Sequence, residues 1–142
     1  MSVEPIHPAA LANMNSVEFA MSKNKDAWLA LYADDAIVAD PVGVSPFDPS
    51  GQGHRGKAAL EAFWDTVIGP SNIVMTVHQR CPSGANACGV HMTAVNDMGN
   101  GIKTAIDMIA TYEVNADGKI SAMRAYWSWD EMEHQLKKLG LI

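Results

Sequence analysis

Apolar positions recur along this chain with two periods, and the period changes near its midpoint. Leu60, Phe63, Trp64, Val67 and Ile68 fall at i, i+3, i+4, i+7 and i+8, the spacing of one buried helical stripe. That spacing predicts a helix over residues 56–68, ended by "GPSN". Residues 9–22 read as an earlier helix. A short one follows Asn24, a suitable N-cap, with Trp28, Leu31 and Tyr32 on one face. Beyond residue 71 the period falls towards two. Strands are predicted at residues 72–80, 88–98, 102–114 and 119–127, with turns at "PSGAN", "GNG" and "NADG". A further short strand, "AIVAD", runs into "PVGVSPFDPSGQGH", a loop by its three prolines and three glycines. A loop of that length is a candidate for function. Ser128 and Glu131 have the spacing of a capping box, opening a last helix with Met132, Leu136 and Leu139 on one side.

Helices first and antiparallel strands afterwards predict an α+β fold, with the helices on one face of a sheet. The long strand at 102–114 is apolar on both faces: Ile106, Met108, Ala110 and Tyr112 on one, Ala105 and Ile109 on the other. A sheet apolar on both sides is covered twice. Helices cover one face and a second copy of the chain the other, so a homodimer is expected.

With 142 residues, the whole chain, 1–142, is expected to form one domain around one core. The net charge of −6 and the absence of a basic cluster argue against nucleic-acid binding, which rests on Lys and Arg. No stretch resembles a membrane span. "MSVEPIHPAALANMN" has no basic segment leading into an apolar block, so a leaderless, cytoplasmic chain is expected. Cys81 and Cys88 have neither a zinc spacing nor the numbers of a disulfide framework, and are expected to stay unpaired. His7, His54, His78 and His134 have no metal-ligand spacing and read as surface or loop residues. "GQG" in the long loop lacks the context of a nucleotide fingerprint.

Three blocks carry a resemblance: "LYADDAIVADPVG", "AFW" and "NADGKISAMRAYWS". They resemble bacterial ketosteroid isomerases of the NTF2-like (SnoaL-like) superfamily, and the extended loop is similar to the actinobacterial branch. The resemblance implies a cone: a strongly curved, mostly antiparallel sheet wrapped around helices, with a deep apolar pocket for a steroid-like molecule, no cofactor and no metal. It implies isomerisation of a 3-oxo-Δ5-steroid, with Asp40 as the base that moves a proton from C4 to C6. Such chemistry needs a carboxylate of somewhat raised proton affinity and donors aimed at the C3 oxygen. These isomerases are a standard example of an aspartate base working with an oxyanion hole of a tyrosine and a protonated aspartate. Asp34 and Asp35 are expected to be solvated at a helix end.

The chain departs from the family at that oxyanion hole. The donor tyrosine falls on Ser16 and the protonated aspartate on Ala110. Asp107, three residues from Ala110, is placed on the other face by its odd offset. Tyr32 matches a tyrosine that normally supports the donor, and Trp64 stands where its usual partner does. His91, with Thr93 and Val95 on the same strand face, is a candidate replacement donor, as is Tyr32. The expected pocket comprises Ser16, Phe63, Trp64, Thr93, Met108, Ala110, Met123 and Trp127. Two other readings stay open. One is a different SnoaL-like cyclase or epoxide hydrolase, for which Arg80 and Arg124 are possible arginines. The other is a non-catalytic steroid- or lipid-binding protein.

Overall fold

The computed structural model describes residues 5–142. The expectation of a leaderless N-terminus rests partly on residues 1–4, which lie outside them. Helix α1 (Pro8–Met21) starts with Pro8 in its first turn, and the His7 ring nitrogen Nδ1 accepts from the Ala9 amide at 3.1 Å. Its buried positions are small: Ala9, Ala10, Ala12, Asn13, Ser16 and Val17. They let the helix lie close against the sheet. Helix α2 (Lys25–Ala30) is capped by Asn24, whose Oδ1 accepts from the Ala27 amide at 3.2 Å.

Strand β1 (Tyr32–Ala39) is longer than "AIVAD". Tyr32 to Asp35 belong to this strand, not to the end of α2. Asp34 and Asp35 are exposed as expected, but on a strand. After the loop, β2 (His54–Arg55) pairs with β1, and α3 (Lys57–Phe63) continues into a wide π-helical turn, Trp64–Ile68. Strands β3 (Ile73–Ser83), β4 (Ala87–Asp97), β5 (Lys103–Val114) and β6 (Ile120–Tyr126) follow. Helix α4 (Trp129–Lys138) closes the chain. The Ser128 Oγ accepts from the Glu131 amide, while the Glu131 carboxylate takes a bond from Gln135 instead of reaching back to its cap.

The six strands form one sheet in the order β2-β1-β6-β5-β4-β3. All neighbours are antiparallel except β1 and β6, which run parallel, so the first and last strands of the chain meet inside the sheet. Register shifts interrupt β1 between Tyr32 and Ile37, β3 between Val77 and Gln79, and the β5–β6 ladder near Val114. Each extra residue bends and twists its strand. The sheet therefore curves around α1, α3 and the intervening apolar space, giving the NTF2-like cone. The core is one cluster on the concave face, including Leu60, Val90, Met92, Ile106, Ala110, Tyr112 and Ile120. Strand β5 divides as its alternation predicts: Thr104, Ile106, Met108, Ala110, Tyr112 and Val114 are buried, and Ala105, Asp107 and Ile109 are exposed.

Candidate active site

A cavity opens within the cone, bounded by α1, the π-helical end of α3, and the concave faces of β1 and β3–β6. The space between its walls and out through the open mouth, solvent included, is about 1020 Å³. Most of the wall is apolar: Val38, Phe63, Val67, Met75, Met92, Ile106, Met108 and Met123 contribute. The π turn carries Val67 and Ile68 to this surface.

Asp40 follows Ala36 and Val38 on the inner face of β1 and lines the cavity, half-buried. The Trp127 indole N–H donates to its Oδ1 at 2.6 Å. Loss of hydration raises the carboxyl above its ordinary range; the Trp127 bond and the nearby His54 ring oppose this. His54 is no surface residue. It pairs with Val38 across β1–β2, its ring lies 4.9 Å from that of Phe63, and its Nε2 is buried without a partner. Nothing local in the sequence marks this, because the contact is made by strands that a long loop separates.

Two phenols face the same space. Tyr32 and Tyr112 are both 2 % exposed, both line the cavity, and the Ser16 side chain sits beside both. Burial pushes both hydroxyls above their ordinary range, Tyr32 strongly, and the Asp40 charge adds to this. Both therefore stay protonated, as hydrogen-bond donors, across neutral pH. Tyr112 was legible as an inner-face residue of β5, but its hydroxyl was hidden behind its role in an apolar stripe.

Several predicted pocket residues line the cavity: Ser16, Phe63, Met108, Met123 and Trp127. Others do not. Trp64 is buried against Trp28, 5.3 Å between ring centroids, and serves the core. Ala110 is fully buried between Met108 and Tyr112 and presents no wall. His91 and Thr93 lie on the convex face, because Val90, Met92 and Ala94 take the inward positions of β4. Register shifted by one residue reverses every side chain in a strand, and the expected alignment of β4 was shifted in this way. His91 therefore meets Asp107, which lies on the convex face as its offset predicts. Neither arginine reaches the cavity: Arg80 donates to Asn13 at 2.8 Å, and Arg124 is 4.0 Å from Glu113. Among the described residues no arginine lines the cavity, so no Asp–Arg–Asp set is assembled there.

The long loop also contributes. The Asp48 carboxylate accepts from the Gly53 amide at 2.7 Å and the Ser50 hydroxyl at 2.8 Å. Partial desolvation pushes this carboxyl up, but those bonds outweigh it and hold it below the usual carboxylate range. The folded loop delivers Phe47 to the cavity wall, where it meets Trp129 edge-on at 5.1 Å. Among the described residues, no helix is long and apolar enough to cross a membrane. Both cysteines are free, Cys81 exposed and Cys88 buried.

Comparison with known proteins points the same way. The SnoaL-like domain model matches residues 15–123. The chain is similar to a steroid Δ-isomerase of Nocardioides simplex, 32% identical over 106 residues, covering 75% of this chain and 78% of that one. It resembles the crystal structure of a Δ5-3-ketosteroid isomerase from Mycobacterium sp. at 36% identity and a TM-score of 0.83, covering 89% of this chain and 97% of that chain. It also resembles RV0760c from Mycobacterium tuberculosis in complex with estradiol-17β-hemisuccinate, with 32% identity and a TM-score of 0.84 over 89% of this chain and 98% of that chain.

Proposed function

The chain belongs to the SnoaL-like domain family, and from that membership we propose that it isomerises a 3-oxo-Δ5-steroid to the conjugated Δ4 ketone. The Asp40 carboxylate takes the proton from C4. The C–H electrons form the C3–C4 double bond, and the carbonyl electrons move to oxygen, giving a dienolate. The C5–C6 π electrons then take the proton back from Asp40 at C6, the C3–C4 π electrons move to C4–C5, and a lone pair of the enolate oxygen restores the C3 carbonyl. No cofactor is needed, because no electrons enter or leave.

One observation carries this reading. A half-buried carboxylate, raised by desolvation and held by a single 2.6 Å indole bond, lines an apolar cavity. Such a group is a better base than a solvated aspartate and meets a substrate without competing water. Trp127 is the positioning residue for Asp40. Tyr112 and Tyr32 are proposed as the donors to the dienolate oxygen, in place of the family pair that Ser16 and Ala110 have lost. The steroid-related relatives support an apolar small-molecule ligand.

A cytoplasmic homodimer belongs to the same proposal. Two unpaired cysteines fit a reducing compartment. Val74, Ile109 and Tyr126 expose about half of their surface on the convex face of the sheet, which a second copy would cover.

The test is conversion of 5-androstene-3,17-dione, followed by the absorbance of the conjugated product. Wild type converting far faster than Asp40→Asn supports the isomerase. Equal rates, with the steroid still bound, would instead favour the non-catalytic binding protein suggested by Ser16 and Ala110.

A further inference from the structure

The convex face of the sheet carries a second cluster, unconnected with the cavity. In the β3–β4 ladder Val77 pairs with Met92 and Gln79 with His91, so His78 is an extra residue. His78 and Gln79 both stand opposite His91, and this bulge aims the His78 ring along the sheet. Its Nε2 lies 2.7 Å from the Thr93 Oγ1. On the next strand, Asp107 pairs with Thr93. The Asp107 Oδ1 receives the Thr93 hydroxyl at 2.9 Å and lies 2.9 Å from the His91 Nε2. The two imidazoles are 4.6 Å apart between centroids. One donor atom from each of His78, His91 and Asp107 lies within 4.8 Å of the other two.

We propose that His78, His91 and Asp107 bind one divalent first-row transition ion of the zinc type, at a site on the opposite face of the sheet from Asp40. Three donors from three adjacent strands already converge. Small side-chain rotations bring them to the roughly 2.0–2.2 Å that Zn–N and Zn–O bonds require. Two imidazoles select against magnesium and calcium, which prefer oxygen, and favour zinc, copper or nickel. In the single chain the remaining coordination position lies open on the convex face, leaving it to water or to a group of the second copy proposed to cover this face. Thr93 would orient the carboxylate and one ring, as the outer partners of metal ligands commonly do.

The experiment is a calorimetric titration of ZnCl2 into the full chain, produced without a histidine tag and stripped with a chelator. Co²⁺ spectra in the visible provide a second readout. The expected result is saturable uptake of one ion per chain, together with visible bands from a coordinated cobalt. Outer-shell changes alone weaken metal sites roughly 10–100-fold. Each of H78A, H91A and D107A should therefore weaken binding at least about tenfold. C81S and H134A, which alter exposed groups outside the cluster, should bind as wild type does. The three cluster residues are on the surface, so their variants should fold, and far-UV circular dichroism checks this. Absence of saturable binding, binding that survives H91A and D107A, or binding that C81S abolishes would each overturn the proposal.

Discussion

Replacing Trp127 by Phe keeps an aromatic ring at the cavity wall but removes the N–H that donates to Asp40 at 2.6 Å. That bond favours the ionised carboxylate, because an acceptor with full charge gains more from it than a neutral one. A hydrogen bond to a charged group contributes about 1.5–3 kcal/mol. Only the excess over the bond to a neutral carboxyl, roughly 0.5–1.5 kcal/mol, acts on the titration, so the Asp40 midpoint should rise. Asp40 keeps some exposure, which places the expected shift towards the lower end. The assay is an NMR titration of the Asp40 carboxyl carbon in protein labelled with ¹³C-aspartate, in wild type and Trp127→Phe. It needs no catalysis, so it tests the electrostatic argument by itself. A midpoint that stays in place or falls would refute the assignment of Trp127 as the group that opposes desolvation. If isomerisation is measured as well, the acid limb of the kcat/KM profile should move upward with the same midpoint, since only the carboxylate form can accept the C4 proton.

Further outcomes follow from the same geometry. Tyr112→Phe should lower kcat by about 10²-fold with a smaller change in KM, as expected for one lost oxyanion donor; steady-state kinetics decides, and an unchanged kcat would remove Tyr112 from the mechanism. His54→Phe should raise the Asp40 midpoint, because the ring's charge lowers it, and the same carbon titration reads this. Asp40→Asn should stabilise the fold at neutral pH. Folding raises the Asp40 pKa, so its contribution is fully present below the unfolded value and is lost as pH rises through the folded one; thermal melts should show an advantage for the variant at pH 7 that shrinks towards pH 4. Leu60→Ala, at a position with no exposed surface, should cost about 2–5 kcal/mol in urea unfolding, the usual range for a buried leucine.

Much of this architecture is legible from periodicity. The stripe from Leu60 to Ile68 predicts α3 and its buried side, and the two faces of β5 separate as the alternation requires. The π turn does not disturb the stripe enough to be seen in advance. Asp40 stands out because an acid follows an apolar run at the same parity as Ala36 and Val38. The outward face of His91 and Thr93 is legible too, since Val90 and Met92 alternate with them, apolar against polar. The rest is non-local. Tyr32 to Asp35 joined β1 because pairing with β6 outweighed local helical signals, Tyr32 lying opposite Ile120. The contact of His54 with Phe63 and the meeting of His78, His91 and Asp107 exist only once distant strands are in register. No spacing rule along the chain contains them.

The central claim is that one carboxylate, Asp40, carries a proton between two carbons of a bound steroid. A substrate labelled with deuterium on the C4 position facing the carboxylate, converted in ordinary water and examined by NMR and mass spectrometry, tests this most directly. The account predicts conversion that depends on Asp40, with deuterium appearing at C6 of the product. Absence of conversion, or complete loss of the label to solvent with none at C6, would contradict it.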